Sequence, residues 1–436
     1  MHKTRRTLLP GILLVAILYS GAAIAATVEV GTCKNGFVQF PTIQAAVTSA
    51  PEGATVLVCP GIYPEQVTIN KTLTLQGVEL STASGATIAA PSGGVLAITN
   101  SLATGNPIAA QVLVQNAEDV DINNLTVDGS KNGILGCSPT FVGIFYQNAS
   151  GTISHAAVLN QALSAGLTGC QSGLAIFAQS GSGGDSNLHV ENSTVNAYQK
   201  NGITGNEVGT SMTVTDNTVI GQGPTTGAAE NGIQVGFGAT GQVMRNVAID
   251  DVWAPDTINA PGNAASGILV FASSHVTVHD NRVGNTQFGI AVVSDAQAGS
   301  AHGNSIEWNK ISANHIFDGI EVCSNNNSIH DNTINRSDES GIHLDSVCTN
   351  PDGSGTGKGN KIKDNVINSA CTGILVGTLT SVVANSIADN DFFNVGSTIL
   401  NADVCQAPMA AAQATVQSNA VSGAGQGIRL ASPVRP

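Results

Sequence analysis

The sequence contains few aromatic and few basic residues, and these shortages exclude several classes of function. Aromatic residues make up 4% of the 436 residues, and charged residues make up only 11%. The 16 Lys and Arg residues are outnumbered by 30 Asp and Glu residues, which gives a net charge of −14 at pH 7. Binding to nucleic acid or to anionic lipid needs basic groups that release counterions. We therefore expect no nucleic-acid partner.

Long apolar segments are also scarce, and the one at the N-terminus is typical of a signal peptide. Basic residues at positions 2–6 precede the apolar run Leu8–Leu18, which is too short to span a bilayer. Small residues around Ala23 and Ala25 then provide a cleavage site. We predict that residues 1–25 are a signal peptide and that the mature chain is secreted or periplasmic, without membrane insertion. The stretch TRRTLL leaves both the general and the twin-arginine export routes open.

Eight cysteines in an exported chain predict disulfide bonds. Taken as near neighbours along the chain, they pair as Cys33 with Cys59, Cys137 with Cys170, Cys323 with Cys348, and Cys371 with Cys405. Sequence alone does not fix this connectivity, so other pairings stay open. No CxxC or Cys/His cluster has the spacing of a structural zinc site, and we assign no metal ligand.

Glycine is abundant, with 50 residues, and part of it recurs in a repeat. A Gly-Ile pair (once Gly-Leu) returns every 22 to 35 residues, in stretches such as SGILVF, FGIAVV and SGIHLD. Its glycines are Gly143, Gly173, Gly202, Gly232, Gly267, Gly289, Gly319, Gly341 and Gly373. Between these pairs an Asn precedes a β-branched or apolar position, at Asn217, Asn281, Asn309, Asn332, Asn365 and Asn390.

One repeat unit shows how such a chain folds. In HVTVHDNRVGNTQFGIAVVSD, two turns separate three short stretches of β-forming residues, in which Val276, Val278, Ile290 and Val292 alternate with outward positions. Stacked units bury their inward columns and let identical Asn side chains hydrogen-bond from coil to coil. The sequence therefore predicts an all-β protein, a parallel β-solenoid with three short strands per coil and about a dozen coils.

The Gly-Ile and Asn-x-Ile pattern resembles the repeats of the NosD and CASH (carbohydrate-binding and sugar-hydrolase) group, over about residues 110–430. This resemblance implies a right-handed parallel β-helix of the pectate-lyase-like type. We assign residues 61–430 to this β-helix and residues 431–436 to a frayed C-terminal tail. The resemblance is specific for the fold but does not indicate a particular activity.

The N-terminal part is expected to cap the open end of the solenoid, because exposed strand edges need a cover. In FPTIQAAVTSAPEG, residues 40–53, Ile43, Ala46 and Val47 lie on one face of an amphipathic helix. We assign residues 26–60 to this cap and the first strand. Residues 42–77 also resemble the opening of pectin methylesterases, but the Gly-Arg-Pro-Trp motif of that family is missing. We therefore expect no esterase activity, and we interpret Glu65 as a turn residue.

The resemblance also implies that ligands lie along one sheet, between loops inserted at its borders. The Gly-Ile strand is the candidate, and Glu321 and His343 are the ionisable residues at its outward positions. They are 22 residues apart, one coil, which places them about 4.8 Å apart. Together with Asp345, they could act as general acid and general base in the cleavage of a glycosidic bond or the removal of a sugar C5 proton. We predict these three residues as catalytic candidates.

Five further residues are predicted to bind substrate. The turns that lead into the Gly-Ile strands carry Asp318, Asp338 and Glu339, whereas Gln234 lies at an outward strand position and Trp308 could stack on a sugar. The clustered carboxylates are also candidate ligands of Ca²⁺. The alternative is that outward charges on an acidic protein are simply solvated.

Three functions stay open at this point. The first is an exported protein, expected to be a monomer, that binds extracellular or cell-envelope polysaccharide. The second is a polysaccharide lyase, epimerase or hydrolase that uses the groove along the Gly-Ile sheet. The third is a structural or accessory periplasmic solenoid, as in the NosD group.

Overall fold

The computed structural model describes residues 26–79, 85–253, 264–314 and 316–405. The predicted signal peptide and the predicted tail at 431–436 lie outside the described residues. The chain winds into a parallel β-helix in which each coil adds one strand to each of three columns.

The first column forms a sheet of fourteen strands. Its strands are Thr27–Val30, Val38–Phe40, Ala54–Val58, Leu73–Gly77, Val120–Asn123, Ser150–Ser154, Ser186–Glu191, Thr210–Thr215, Thr240–Met244, Thr277–His279, Ser305–Glu307, Ser328–His330, Lys361–Lys363 and Ser386–Ala388. All pairs within it are parallel, so successive coils place equivalent residues side by side.

The second and third columns join into one larger sheet. The second column comprises Gly61–Pro64, Ala86–Ala89, Leu125–Asp128, Ala157–Leu159, Thr194–Asn196, Thr218–Ile220, Val247–Ile249, Arg282–Thr286 and Lys310–Asn314. The third column, which contains the Gly-Ile strands, comprises Val67–Ile69, Pro107–Gln115, Thr140–Gln147, Leu174–Gln179, Asn201–Asn206, Asn231–Gly236, Ser266–Phe271, Phe288–Val293 and Ile320–Cys323. Both columns run together in Thr333–Leu344, Val366–Val376 and Asp391–Leu400, and the short strand Thr99–Asn100 pairs antiparallel with Pro107–Gln115.

The predicted solenoid with three strands per coil is confirmed, and its core is one continuous apolar column. Ile268, Ile290, Ile320, Ile342 and Ile374 stack in register on successive coils and are fully buried. This stacking follows from the alternation of inward and outward side chains along each strand.

One member of the predicted Gly-Ile repeat is out of register. Ile144 pairs with Ile176 and Val142 with Leu174, so the equivalent of Gly143 is Ala175 rather than Gly173. Gly173 has a φ of 85° and forms the turn before the strand, where glycine adopts the left-handed region without a steric penalty.

An asparagine ladder closes the corner between the first and second columns. Its side-chain amides donate from coil to coil over 2.9 to 3.0 Å, through Asn217, Asn246, Asn281, Asn309, Asn332, Asn365 and Asn390. The left-handed residue of each corner is the one before the Asn, with φ between 54° and 58°. Asp fills this position in five coils, Arg245 and Trp308 in the other two. The ladder therefore satisfies backbone groups that the corner would otherwise leave buried and unpaired.

The N-terminal cap contains the helix Ile43–Ser49, which buries Ile43, Ala46 and Val47 against the first coils. Thr42 caps it by accepting a hydrogen bond from the backbone N–H of Ala45. The Glu65 carboxylate accepts two more, from Ile43 N at 2.8 Å and Gln44 N at 2.9 Å. Two short 3₁₀ helices, Ala165–Leu167 and Val382–Ala384, lie in loops.

All four predicted disulfides are formed, and the described residues contain no free cysteine. The Cys323–Cys348 bond joins a third-column strand to the loop that follows Leu344. The Cys371–Cys405 bond likewise ties a strand to the segment after the last strand. Both bonds therefore hold loops against the third column.

The two outer faces of the β-helix differ in exposure. Over the strands from Thr140–Gln147 to Val366–Val376, the outward residues of the third column that follow the inward Ile or its equivalent are buried: Phe145, Phe177, Thr204, Gln234, Leu269, Ala291, Glu321, His343 and Leu375. Many of them belong to apolar clusters outside the main core. In the first column, outward residues are at least partly exposed over the strands from Thr277–His279 to Lys361–Lys363. The face of the Gly-Ile strands is therefore covered, and the expected groove along it stays a prediction.

The ladder gives a direct prediction for stability. Replacing Asn309 with Ala leaves the N–H of Asn281 and the C=O of Val278 without their side-chain partner. We expect a loss of about 3 kcal/mol, since each buried unpaired group costs about 1–3 kcal/mol. The guanidinium unfolding midpoint of the variant measures this loss.

The matched control is Asn368→Ala, which removes a half-buried Asn that bonds to Asn335 and Asn394 on the outside of the fold. A loss below about 1 kcal/mol is expected there. Equal losses in the two variants would contradict the structural weight given to the ladder.

Candidate functional site

The predicted catalytic residues come together on the outer face of the third column. Glu321 and His343 are paired in register on neighbouring strands, because each follows an inward Ile. His343 Nδ1 lies 3.2 Å from Glu321 Oε2 and 3.4 Å from Asp318 Oδ2. Asp345 lies beside Glu321, with a carboxylate oxygen within 4.8 Å of one of its own. We call Asp318, Glu321, Glu339, His343 and Asp345 the acidic cluster.

The acidic cluster is buried. The exposed fraction is 2% for Glu321 and 1% for His343 and Asp345, and it is zero for Asp318 and Glu339. The loop held by the Cys323–Cys348 disulfide contributes to this cover, since Thr356 Oγ1 donates to the backbone oxygen of Asp345. The backbone N–H of Cys405 donates to Glu339 Oε1 on another side.

Burial and mutual repulsion change the proton affinities of the cluster. Burial raises the pKa of Glu321 to about 8, although the charge of His343 opposes this. Burial, helped by the charge of Asp318, raises the pKa of Glu339 to about 9. Burial also raises the pKa of Asp345. For His343, burial alone would lower the pKa, but the carboxylates of Glu321 and Asp318 outweigh it and raise the pKa well above its usual value.

Several polar atoms of the cluster lack a hydrogen bond. Among the described residues, no hydrogen bond reaches Asp318 Oδ2, Glu321 Oε2, Glu339 Oε2 or His343 Nε2. Buried polar atoms are nearly always paired, so four such atoms in one cluster are unusual. The other oxygen of Asp318 is satisfied by the backbone N–H and the hydroxyl of Ser340.

The remaining predicted binding residues are dispersed. Gln234 is buried and bonds to Asn206 at 2.8 Å and Asn201 at 2.9 Å, within a polar network of the third column. Asp338 is exposed and accepts a hydrogen bond from the N–H of Ile316. Trp308 is 56% exposed at the corner between the first and second columns, whereas the acidic cluster lies on the third column. The structure therefore does not gather the five residues into one surface.

Sequence reasoning missed a second buried polar group. The Tyr198 hydroxyl donates to Asp251 Oδ1 at 2.5 Å, and Lys200 Nζ donates to the backbone oxygen of Ala229 at 2.6 Å. Glu230 accepts from the N–H of Gln222 at 2.9 Å. Aligning the repeat offers a signal, because Lys200 and Glu230 both lie two residues before a repeat glycine. Asp251 is fully buried, although nothing in the repeat pattern distinguishes it from an exposed loop residue.

Glu230 gives this group a predicted pH dependence. Burial, reinforced by the charge of Asp251, raises the pKa of Glu230 to about 10 against the opposing effects of Gln222 and Lys200. Between the ordinary glutamate pKa of 4.5 and about 10, the folded chain then binds more protons than the unfolded chain, so stability falls as pH rises through this range. We expect Glu230→Gln to reduce the fall in melting temperature between about pH 5 and pH 8.

Differential scanning calorimetry at these two pH values measures the effect. Glu118→Gln, at an exposed carboxyl, is the control and should leave the pH dependence unchanged. An unchanged pH dependence in Glu230→Gln would show that Glu230 is ionised in the folded chain.

Residues 254–404 match the model of a family described as "Periplasmic copper-binding protein (NosD)". The match covers about a third of the chain and includes the whole acidic cluster. No curated protein matches the sequence. The four disulfides are typical of proteins outside the cytoplasm. Within the described part of the chain, no helix has the length and apolar character needed to cross a membrane.

Two solved structures share the fold at low sequence identity. A hyperthermoactive exopolygalacturonase from Thermotoga maritima has a TM-score of 0.52 and 10% identity, over 79% of this chain and 84% of that chain. A lacto-N-biosidase from Eubacterium ramulus has a TM-score of 0.56 and 12% identity, over 86% of this chain and 67% of that chain. The chain is therefore a right-handed parallel β-helix protein with a NosD-like segment over residues 254–404.

Proposed function

We propose that this protein is a periplasmic or secreted polysaccharide-binding β-helix, and that the open outer face of the first column is its binding surface. The observation that carries the proposal is an exposed tryptophan at the rim of an open face of polar side chains. We call this surface the first-column face; it comprises the outward residues of Thr277–His279, Ser305–Glu307, Ser328–His330 and Lys361–Lys363, together with Trp308.

The first-column face presents two rows of hydrogen-bonding groups. Thr277, Ser305, Ser328 and Lys361 form one row, and His279, Glu307, His330 and Lys363 form the other. Neighbours within a row are about 4.8 Å apart, the spacing of paired strands. Hydroxyl, imidazole, carboxylate and ammonium groups together donate to and accept from sugar hydroxyls.

Trp308 supplies the apolar contact that such a face otherwise lacks. Its backbone has a φ of 58°, and the neighbouring Asn309 is held in the buried ladder. The backbone of Trp308 is therefore held at the corner of the face, with Asp280 and Asp331 at the equivalent positions of the adjacent coils. Aromatic rings stack on apolar faces of ligands while polar neighbours fix the orientation.

A shallow depression borders the opposite side of the face. It has a volume of about 380 Å³ and lies at the start of the strands, lined by Gly303, Asn304, Ser305, Asn326, Asn327, Ser328, Gly359 and Lys361. A chain of sugars that runs from Trp308 along the strands would reach this depression. The lining offers amide and hydroxyl groups with a single ammonium group, which suits a sugar better than an apolar ligand.

The charges of the face favour a neutral polysaccharide. His330 lies 3.2 Å from Glu307 and 2.8 Å from Asp331, and Lys363 is paired with Asp364, so these two groups have acidic partners nearby. An acidic polymer would also be repelled by the net charge of −14.

The catalytic roles of Glu321, His343 and Asp345 stay a prediction. A polymer could reach these residues only if their cover opened, whereas the first-column face needs no such movement. Lyase, epimerase or hydrolase activity is therefore the second candidate, and Asp318, Asp338, Glu339 and Gln234 would serve it rather than the surface proposed here.

The proposal is tested by measuring affinity for a panel of neutral and acidic polysaccharides in a gel-retardation assay. Trp308→Ala should weaken binding to the best neutral ligand at least tenfold, since that loss corresponds to about 1.4 kcal/mol of aromatic contact. Leu135→Ala is the matched control, because Leu135 is a 93% exposed apolar residue outside the face. It should bind as the wild type does.

Two results would contradict the proposal. One is a wild type that binds no polysaccharide of the panel. The other is equal affinity of the Trp308 variant and the wild type, which would show that the polysaccharide binds outside the first-column face. Mass spectrometry of the same mixtures, with Glu321→Gln beside the wild type, would detect products of a lyase or a hydrolase.

A further inference from the structure

Two of the atoms in the acidic cluster that accept no hydrogen bond, Asp318 Oδ2 and Glu321 Oε2, lie next to the same nitrogen, His343 Nδ1. One donor atom each from Asp318, Glu321 and His343 lies within 4.8 Å of the other two. All three side chains are more than nine-tenths buried, and Asp318 Oδ2 and Glu321 Oε2 accept no hydrogen bond among the described residues. Both oxygens face the same imidazole nitrogen, His343 Nδ1.

A proton on His343 Nδ1 cannot provide hydrogen bonds to both carboxylate oxygens. An imidazole nitrogen carries one hydrogen, so Nδ1 can donate a good hydrogen bond to one of the two carboxylates and leaves the other unpaired. The cost of an unpaired buried carboxylate oxygen is high. A cation placed between the three atoms would instead contact both oxygens and the neutral nitrogen together.

The distances suit such a cation. Donor atoms at 2.0–2.2 Å from a tetrahedrally bound metal are roughly 3.3–3.6 Å from one another. The observed separations from Nδ1 are 3.4 Å and 3.2 Å. Two carboxylates also neutralise the charge of a divalent ion, which removes the penalty of burying unbalanced charge.

We propose that Asp318, Glu321 and His343 form a binding site for a divalent ion of the copper and zinc class. This site is independent of the first-column face and of any polysaccharide. It would tie two neighbouring coils together, since Glu321 and His343 lie on adjacent strands.

The donor set discriminates between ions. Ca²⁺ takes six to eight oxygen ligands, and an imidazole among three donors suits it poorly. Cu(I) prefers thiolate and thioether ligands, but the nearby Cys323 is in a disulfide. Imidazole with carboxylates suits Zn²⁺ and Cu²⁺, and Cu²⁺ binds more tightly in the usual order of divalent metals. The family matched by residues 254–404 is described as copper-binding, and these residues fit the oxidised ion only.

The test is metal binding by the full mature chain. The protein is stripped with a chelator, unfolded and refolded with Cu²⁺ or Zn²⁺ so that the buried site is accessible, dialysed, and analysed for bound metal. We expect about one ion per chain, a melting temperature raised by several degrees, and a Cu²⁺ electron paramagnetic resonance spectrum with coupling to one nitrogen. His343→Gln and Asp318→Asn should each lower the affinity at least a hundredfold.

His330→Gln is the matched control. His330 also lies between two carboxylates, with Nε2 3.2 Å from Glu307 and Nδ1 2.8 Å from Asp331, but it is partly exposed on the first-column face. The variant should keep the bound ion, the nitrogen coupling and the raised melting temperature.

Three results would overturn the proposal. A refolded wild type without bound metal would show that the cluster is a buried ion pair only. Loss of the ion in His330→Gln with retention in His343→Gln would place the site on the surface. Retention in both Asp318→Asn and Glu321→Gln, with circular dichroism showing native strand content, would remove the carboxylates as ligands.

Discussion

The rest of the structure depends on the in-register stacking of short parallel strands, because a single coil of this chain cannot bury its own apolar residues. The asparagine ladder fixes that register at one corner, where each amide bonds to the next coil. The stack makes every outward position a column. A column of outward side chains forms a solvent-exposed surface where no loop covers it, and a buried cluster outside the main core where a loop does.

This distinction determines where function can lie. Loops cover the third column, and disulfide bonds hold two of these loops in place. Beneath the loops, the outward residues form apolar clusters, and the acidic cluster lies beside them. Charged groups placed there lose solvent, which raises the pKa of Glu321 to about 8. Over the strands from Thr277–His279 to Lys361–Lys363, the outward side chains of the first column stay in contact with water. An extended ligand therefore belongs to the first column, and a small buried ion to the third.

The sequence predicted the fold well because both periodicities are local: Ile290 and Ile320 stack, and Asn281 and Asn309 bond, as their spacing indicates. Gly173 was misread, since it forms a turn, and Asn246 was missed although it joins the ladder. The pairing of Glu321 with His343 followed from the same spacing. Their burial did not, because the path of an inserted loop depends on distant contacts that a repeat does not encode.

The central claim is that the first-column face, and not the Gly-Ile strand face, contacts an extended ligand. Hydrogen–deuterium exchange with and without a bound polysaccharide tests it most directly. The account predicts slower exchange in Thr277–His279, Ser305–Glu307 and the corner at Trp308, with no change in Ile320–Cys323. Slower exchange confined to Ile320–Cys323 and the segment around His343 would contradict it and would return the function to the acidic cluster.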